Sequence, residues 1–463
     1  MPSVLRAGPL ACLTWRHAPF KQSCCASWRT SAHLTLARNV HGAVRTRTFE
    51  DILGSKLPKA LATIGILSPN EIQASVLPLA LEGRELLVVA QTGSGKTIIS
   101  LLPIFHCLLR QSLGDTFSRS TKRATETSSP TPMQPQALVL SPTIELASQH
   151  SRVIAQLAQA LPERHISSMP DIADQLDSQT QEGREEEDQS RILSTTPSRF
   201  LRAFRDGRVQ TGLLRVVAFD EVDALLCGEA HSREMPLAAT ELLEALLSAG
   251  QPVQLLMTTA HLTEAHEHVL RGRFPRAELV RHQGSDSGRR GVLVPTLRQR
   301  FHYFNGDKEQ QLLRTLARAE ADPHLREGTC AVFCASEPDA EKLCALVASA
   351  APQLLPTVLH ARMPDAARLA ALDRFRLGES RVLVCTACAA RGLDLPLLRH
   401  VVLYDPTPEV ADFVHSAGRT ARRGTHGLVT CLVQAGDAAA LGRFQALHAL
   451  QPAPQLSFHR GEQ

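Results

Sequence analysis

The sequence predicts an α/β fold made of two successive parallel β-sheets, each with helices on both faces. Each half of the 463-residue chain alternates short apolar runs with amphipathic segments, as strands connected by helices do. Hydrophobic residues make up 43% of the chain, which is enough for two cores of ordinary size. A Gly-, Ser- and charge-rich stretch lies between the halves and predicts a flexible linker over 283–295.

Short apolar runs mark the predicted strands. Five of them precede the linker, at 85–90, 137–142, 191–196, 216–221 and 253–260. Four follow it, at 331–336, 381–387, 400–405 and 427–434. The predicted domains are therefore 49–282 and 296–463. Within the first, the Ser-, Thr- and Pro-rich stretch 112–136 and the acidic stretch 177–190 are interpreted as solvated surface loops.

The N-terminal segment differs in composition from the rest of the chain. Residues 1–49 hold seven Lys and Arg and neither Asp nor Glu, while 43 Lys and Arg against 46 Asp and Glu remain elsewhere. A basic, Ser-rich, acid-poor leader is typical of organelle transit peptides, so 1–48 is predicted to direct the protein to a mitochondrion, with a plastid as the alternative. The other interpretation is a disordered basic segment that contacts RNA in place, in the nucleolus or cytoplasm.

Two further classes of protein find little support in the sequence. No apolar run approaches the ~20 residues of a membrane span, so no membrane partner is predicted. The eleven cysteines follow no disulfide pattern. Cys385 and Cys388 form a C-x-x-C, but they lie in or beside an apolar run. There, free cysteines are favoured as small core residues over zinc ligands, which need four converging groups.

The segment AQTGSGKT, residues 90–97, has the composition and setting of a phosphate-binding loop. It follows a predicted strand and precedes a helix-like run. Gly93 and Gly95 allow the backbone to turn its N–H groups towards phosphate oxygens. Lys96 supplies a charge for the β- and γ-phosphates, and the Thr97 hydroxyl is a ligand for Mg²⁺. Thr92 and Ser94 complete the predicted loop.

Two adjacent carboxylates end the predicted strand 216–221. Asp220 would then hold Mg²⁺ directly or through water, and Glu221 would polarise the attacking water as a general base. The four letters D-E-V-D also match a caspase cleavage preference. That alternative requires an exposed extended loop, whereas this segment continues an apolar strand.

Taken together, AQTGSGKT and D-E-V-D resemble the DEAD-box RNA helicases of superfamily two, over nearly the whole chain from Phe49 to about residue 450. The resemblance implies two tandem RecA-like domains that bind ATP and Mg²⁺. GILSPNEIQ, residues 65–73, resembles the adenine-reading Q motif, with Gln73 as its amide and Phe49 as its upstream aromatic residue. AARGLD, residues 389–394, resembles motif V, in which Asp394 would bind the ribose. HSAGRTAR, residues 415–422, resembles motif VI and assigns arginine fingers to Arg419 and Arg422.

The resemblance also implies a single-stranded RNA track across both domains, bound through backbone contacts that read no sequence. The matching positions in motifs Ia, Ib and V are Pro142, Thr143, Thr196, Arg199, Thr386, Arg391 and Gly392. In the family, ATP and RNA together close the cleft, and the bound strand is bent so that its complement leaves. The chain is expected to act as a monomer, with a protein cofactor or a ribosomal particle as a further partner.

Several positions depart from the family pattern. Val222 replaces an alanine of the carboxylate motif without chemical consequence, and no Gly-Gly motif is recognisable at 167–175. The other departures fall in the coupling and RNA motifs: Ile144 for Arg, Thr259-Ala-His261 for Ser-Ala-Thr, Ala387 for Asp and Ser416 for Arg. The main hypothesis is an ATP-dependent RNA helicase, with a nucleotide-gated RNA clamp or assembly scaffold as the alternative. A DNA translocase is the weaker third.

Overall fold

A computed structural model gives the structure of the protein. It describes residues 38–39, 47–90, 93–114, 132–161, 166–169, 190–227, 234–248, 252–260, 262–281, 296–386, 393, 395–405, 413, 416–421, 425–434 and 456–460. Contacts between Cα atoms divide the chain into Met1–Leu36, which lies outside the described residues, and Ala37–Gln463. Everything below concerns the second unit.

The first sheet is parallel throughout and carries what we call the first lobe. Its strands are β1 (Arg38–Asn39), β2 (Leu86–Val89), β3 (Ala137–Leu140), β4 (Ile166–Ser168), β5 (Ser190–Thr195), β6 (Val216–Asp220), β7 (Gln254–Thr259) and β8 (Glu278–Arg281). The order across the sheet is β1-β8-β2-β7-β6-β3-β5-β4. The strands β2, β7, β6 and β3 are therefore neighbours, and their carboxyl ends meet along one edge.

The second sheet is also parallel and carries the second lobe. Its strands are β9 (Leu297–Phe304), β10 (Thr329–Cys334), β11 (Thr357–Leu359), β12 (Val382–Thr386), β13 (Leu398–Leu403), β14 (Gly427–Gln434) and β15 (Leu456–Arg460). Across the sheet they run β11-β12-β10-β13-β14-β9-β15.

Helices connect the strands of both lobes, as parallel pairing requires. In the first lobe they are α1 (Phe49–Leu53), α2 (Lys56–Thr63), α3 (Glu71–Leu81), α4 (Lys96–Gly114), α5 (Ile144–Gln159), α6 (Pro197–Arg205), a π-helical turn (Asp223–Cys227), α7 (Glu234–Ser248) and α8 (Glu264–Arg273). In the second they are α9 (Lys308–Ala321), α10 (Pro323–Arg326), α11 (Glu337–Ala350), a 3₁₀ turn (Pro352–Leu354) and α12 (Asp365–Arg376). Within the described residues, every helix is too short or too polar to cross a membrane.

Each sheet separates two hydrophobic cores, because successive side chains of a strand point to opposite faces. In β2, Leu86 and Val88 pack in a core with α1 to α5, whereas Leu87 and Val89 pack in another with α6, α7 and α8. In the second lobe, Phe333 packs with α12 on one face, and its neighbour Val332 packs with α9 and α11 on the other. The predicted arrangement of helices on both faces is confirmed.

All nine predicted strands are present, with ends displaced by at most two residues. The described residues contain six further strands that the sequence does not predict: β1, β4, β8, β9, β11 and β15. Strands β4 and β11 have three residues each, and β9 mixes buried with half-buried or exposed side chains along its polar sequence LRQRFHYF. None of these forms the continuous apolar run by which the other strands were recognised. Strand β1 falls inside the segment 1–48 that was interpreted as a leader.

Candidate active site

The phosphate-binding loop leaves the carboxyl end of β2 and enters α4. Gly93 and Gly95 have φ angles of 82° and 77°, a left-handed conformation that glycine adopts without a steric penalty. The Lys96 ammonium donates a hydrogen bond to the backbone oxygen of Ala90, 3.0 Å away, across the mouth of the loop. The predicted glycines thus allow the turn that places Lys96 and Thr97 in the first turn of α4.

The Q-motif segment packs directly against this loop. Asn70 caps α3 and forms a reciprocal capping box with Gln73, in which each side chain accepts a hydrogen bond from the other residue's backbone N–H. The Asn70 amide also donates to the backbone oxygen of Ser94 at 2.7 Å, and the Gln73 amide donates to that of Gly95 at 3.3 Å. Gln73 is therefore a support of the phosphate loop, and one amide hydrogen remains for its predicted contact with adenine.

Asp220 lies at the end of β6, beside the loop, and is almost fully buried. Its Oδ1 accepts a hydrogen bond of 2.6 Å from the hydroxyl of Thr258, its register partner in β7. Burial is the largest influence on its pKa and acts to raise it. The His150 and Thr258 contacts and the charge of Lys96 together outweigh burial, so the pKa lies below its usual range. The carboxyl group is consequently ionised at neutral pH.

Two buried polar side chains beside Asp220, His150 and Ser141, are not predicted from the sequence. Nε2 of His150, in α5, is 3.0 Å from Asp220 Oδ2, and Nδ1 of the same ring is 3.0 Å from the hydroxyl of Ser141. His150 and Ser141 are both almost completely inaccessible to water. Seventy residues separate His150 from Asp220, so no local pattern predicts this contact.

Glu221 and Arg419 bring the two lobes together at the site. Both side chains are buried, and a distance of 3.7 Å separates Arg419 Nη2 from Glu221 Oε1. Arg419 also donates to the backbone oxygen of Leu393 at 2.9 Å. Glu221 has a φ of 57°, which is uncommon for a residue with a side chain and typical of functional sites that hold local strain. Its other carboxylate oxygen is buried without a hydrogen-bond partner among the described residues.

A second set of contacts joins the lobes through α5 and α12. Glu145 is buried in α5 and forms a two-pronged ion pair with Arg368 of α12, at 2.6 and 2.9 Å. Arg152 and Asp373, both about half exposed, form another pair at 2.8 Å. Burial raises the pKa of Glu145, and the charge of Arg368 offsets this only in part. The Glu145–Arg368 pair is thus the desolvated part of this contact.

The predicted RNA-binding residues of the first lobe lie at the carboxyl ends of β3 and β5. Thr143 and Thr196 are the N-caps of α5 and α6, and the Thr143 hydroxyl accepts from the backbone N–H of Leu146 at 3.3 Å. Pro142 is buried beside Thr143. Arg199 forms an ion pair with Asp365 of the second lobe, so its predicted contact with RNA competes with a protein partner. Thr386 ends β12.

Several predicted site residues lie outside the described residues. They are Thr92, Arg391, Gly392, Asp394 and Arg422, together with the departures His261 and Ala387. Phe49 is described, and its ring is only 2% exposed in the hydrophobic core of the first lobe. Its packing role is clear, whereas its contact with adenine stays a prediction.

The departures from the family pattern have specific environments. Val222 is fully buried in the core, as expected for a position without chemical function. The Thr259 hydroxyl donates to Asp223 Oδ1 at 2.7 Å, which joins the end of β7 to the last carboxylate of D-E-V-D. Ile144 is 8% exposed, and Ser416 is also buried. Ile144 therefore offers no polar group to RNA.

Of the C-x-x-C pair, Cys385 is fully buried in a strand, where burial raises its pKa well above the ordinary value. It packs in the core, in accord with its interpretation as a core residue. Cys388 lies outside the described residues. In the described part of the chain, no group of three or more His, Cys, Asp or Glu side chains is arranged to hold a metal ion.

Two family models match the chain. The model for the DEAD/DEAH box helicase domain matches residues 70–269, and the model for the helicase conserved C-terminal domain matches residues 307–424. The chain is 29% identical over 433 residues to a mouse (Mus musculus) protein named probable ATP-dependent RNA helicase DDX28, with coverage of 90% of this chain and 75% of the relative. It is 27% identical over 416 residues to ATP-dependent RNA helicase dbp10 of Schizosaccharomyces pombe. That match covers 83% of this chain and 45% of the relative, and the chain spans about half the length of several such relatives.

Solved structures show the same architecture. Dbp5 of S. cerevisiae, bound to RNA and ADP BeF3, superposes with a TM-score of 0.70 at 22% identity, over 89% of this chain and 95% of that one. This likeness establishes the tandem RecA-like fold. The matched domains cover both lobes and include the phosphate loop, D-E-V-D and Arg419, and the relatives carry helicase names. The chain therefore belongs to the DEAD-box RNA helicase family.

Proposed function

We propose that the protein is an ATP-dependent RNA helicase, an RNA-dependent ATPase that remodels RNA or ribonucleoprotein by local strand separation. The observation that carries the proposal is the composite site. The phosphate loop and the carboxylates Asp220 and Glu221 belong to the first lobe, and Arg419 reaches Glu221 from the second. A site divided in this way is complete only when the lobes are together, so hydrolysis depends on closure.

The residues present fit a Mg²⁺ ion bound with ATP. Mg²⁺ prefers oxygen ligands, and Asp220 at the end of β6 and Thr97 in the first turn of α4 would supply a carboxylate and a hydroxyl. The low pKa of Asp220 keeps it anionic, and Thr258 and His150 fix its orientation. The ion supplies charge neutralisation at the phosphates when it is bound. Lys96, whose charge also acts on Asp220, adds a positive charge at the loop.

Glu221 and Arg419 would act on the reacting groups themselves. The buried, unpaired carboxylate oxygen of Glu221 is suited to accept a proton from a water that attacks the γ-phosphate. Arg419 would stabilise the charge that develops on the phosphoryl oxygens, because a planar guanidinium donates to two oxygens at once. Arg422 is proposed as a second arginine finger, and Gln73, Phe49 and Asp394 as contacts for adenine and ribose.

Closure would also align the RNA track, since the proposed contacts come from both lobes. Thr143 and Thr196 stand at helix N-termini of the first lobe, whose positive ends favour phosphate groups. Thr386, with Arg391 and Gly392, would contribute from the second lobe. Arg199 is proposed to exchange its partner Asp365 for RNA when RNA binds.

Steady-state ATP hydrolysis by the full chain, with and without single-stranded RNA, tests this function. We expect strong stimulation by RNA, with loss of hydrolysis in Asp220→Asn, which removes the charge and keeps the shape. A 2′-deoxy competitor that stimulates equally would favour a DNA translocase. Displacement of a short duplex strand then distinguishes unwinding from hydrolysis alone.

A nucleotide-gated RNA clamp or assembly scaffold is the alternative function, and one described residue favours it. Ile144 is buried where the family pattern has an arginine, so motif Ia lacks a charge near the proposed track. A clamp would bind RNA in an ATP-dependent manner and release it without displacing a paired strand. RNA retention with ATP but no strand displacement would identify it.

The leader and the domain limits remain proposals from composition. We propose that 1–48 directs the protein to mitochondria and that 49–282 and 296–463 are domains joined by the linker 283–295. Fusion of 1–48 to a fluorescent protein tests the destination, with plastid, nucleolar or cytoplasmic fluorescence as the contrary results. A protein cofactor or ribosomal particle as partner, and a monomeric state, are proposed on the same footing.

A further inference from the structure

We propose that His150 is a positioning residue for ATP hydrolysis, which holds the Asp220 carboxylate in place and links it to helix α5. This inference rests on the proposed function, because it concerns the same ATP and Mg²⁺ site. His150 does not contact the reacting groups in this arrangement. It would act through Asp220, because its Nε2 faces Oδ2 of that carboxylate.

Both ring nitrogens of His150 face polar partners in this position, and only Nδ1 meets the geometry of a hydrogen bond. His150 is 1% exposed, with Nε2 at 3.0 Å from Asp220 Oδ2 and Nδ1 at 3.0 Å from the Ser141 hydroxyl. If Ser141 donates to Nδ1, the proton of the ring lies on Nε2, which faces the Asp220 carboxylate at 3.0 Å. Ser141 would therefore fix the tautomer that presents a proton to the carboxylate, as partners of ligand-supporting histidines do.

His150 holds the side of Asp220 that the sheet does not reach. Oδ1 accepts from the Thr258 hydroxyl at 2.6 Å and from the backbone N–H of Glu221 at 3.2 Å, and both donors belong to the first sheet or its exit. Oδ2 faces His150, which belongs to a helix. Loss of His150 would leave Asp220 held at one oxygen only and free to rotate about its side-chain bonds.

Through helix α5, the contact between His150 and Asp220 also connects the site to the RNA track and to the second lobe. Its N-cap is Thr143, on the proposed RNA track, and it carries Glu145, which pairs with Arg368 of the second lobe. Arg152, farther along the same helix, pairs with Asp373. One helix therefore contacts the RNA track, the second lobe and, through His150, the carboxylate proposed to bind Mg²⁺. A shift of α5 on RNA binding or closure would move the donor that orients Asp220.

The competing interpretation is a core histidine whose two contacts only satisfy its burial. Three variants separate the two interpretations. His150→Leu removes the contacts with Ser141 and Asp220 and keeps similar volume. His150→Gln places an amide donor near the former Nε2 and so retains the contact with Asp220. His106→Leu changes a half-buried histidine of α4, away from the site, and serves as the matched control.

The experiment has three readouts on the full chain: thermal unfolding, equilibrium binding of a fluorescent ATP analogue with Mg²⁺ or with EDTA, and kcat and KM with saturating RNA. For His150→Leu we expect kcat to fall about 10- to 100-fold, the range seen when groups that orient metal ligands are removed. The affinity gained on adding Mg²⁺ should shrink, while binding in EDTA is unchanged. His150→Gln should recover most of both losses, and His106→Leu should match the parent protein.

Two results would overturn the inference. One is a His150→Leu protein that keeps its kcat and its Mg²⁺-dependent affinity within about twofold of the parent. The other is a His150→Gln protein as impaired as His150→Leu, which would leave only a packing role. If the parent protein itself shows no RNA-stimulated hydrolysis, the proposed function fails. The comparison of nucleotide binding with Mg²⁺ and with EDTA still decides the role of His150 in that case.

Discussion

Removal of the Arg368 side chain tests closure of the two lobes most directly, because it leaves the buried carboxylate of Glu145 without its charged partner. Glu145 is completely buried, accepts a hydrogen bond of 2.9 Å from Arg368 Nη2 and lies at an ion-pair distance of 2.6 Å from Arg368 Nε. The two residues belong to different lobes, so each is expected to be solvated when the cleft opens. Arg368→Ala should therefore act on the closing equilibrium more than on the stability of either lobe.

The magnitude follows from the burial of the pair. Breaking a buried ion pair by removing one partner costs about 3–5 kcal/mol, because the other charge is left desolvated. Since 1.4 kcal/mol corresponds to a factor of ten, closure should weaken by roughly two to three and a half orders of magnitude. Arg152→Ala is the matched control: it breaks a pair between the same helices whose side chains are 48% and 45% exposed. Such a pair contributes about 0–1 kcal/mol, so this variant should lose less than about fivefold.

The loss of activity in Arg368→Ala should also depend on pH. Burial already raises the pKa of Glu145, and loss of the arginine charge removes the main influence that lowers it. A carboxyl group whose pKa rises on closure stabilises the closed state at low pH, where it is protonated. That contribution is lost as the pH rises through the pKa of the closed state. Activity relative to the parent should fall as the pH is raised from the ordinary pKa of a glutamate through the raised pKa of Glu145 in the closed state.

The assay is RNA-stimulated ATP hydrolysis as a function of RNA concentration, for the parent, Arg368→Ala, Arg152→Ala and the double variant Glu145→Gln with Arg368→Ala. The double variant leaves no buried charge and should regain activity relative to Arg368→Ala alone. Equal effects of Arg368→Ala and Arg152→Ala, or a double variant worse than both single changes, would refute the reasoning.

Three further changes test the site. Gly95→Ala adds a Cβ 2.3 Å from the Gln73 amide nitrogen, at a residue whose φ is 77°. Nucleotide affinity, measured by fluorescence titration, should therefore fall at least tenfold. Unchanged affinity would contradict the described conformation of the loop. Arg419→Lys should lower RNA-stimulated kcat by about 10³-fold with nucleotide binding retained, and a tenfold or smaller loss in single-turnover hydrolysis would remove its role as an arginine finger. Phe49→Ala should lower the free energy of unfolding by about 3–5 kcal/mol, measured by chemical denaturation, and a loss of ATP affinity without destabilisation would favour the adenine contact over packing.

The sequence identified the strands of the sheet centres because these are buried on both faces and therefore apolar throughout. Other strands escaped that criterion: β11 has only three residues, and β9, which lies between β14 and β15, carries arginines and a glutamine in its sequence. Their pairing depends on partners far away along the chain: Gln299 of β9 pairs with Leu456 of β15, and Arg38 of β1 pairs with Val280 of β8. Hydrophobic periodicity holds no information about such partners.

The residues of the site also fall into those that local sequence predicts and those that depend on remote partners. The phosphate loop and the pair Asp220–Glu221 were recognisable because their chemistry resides in consecutive residues, and the turn at Gly93 and Gly95 is a local property of the backbone. The predicted role of Gln73 was incomplete, since its amide is partly used on the loop backbone. Arg199 was predicted for RNA alone, and its partner Asp365 is 166 residues distant.

By itself, the sequence determined the fold class, the nucleotide-binding chemistry and the family, because each is written in contiguous motifs whose residues act together locally. Only the tertiary structure decided which side chains support those motifs. His150 meets Asp220, and Glu145 meets Arg368, because the sheet order and the apposition of the lobes bring them together. Such contacts form between positions remote in the chain, where burial removes the side chains from water, and we propose that they hold the Asp220 carboxylate in place and stabilise the closed lobes.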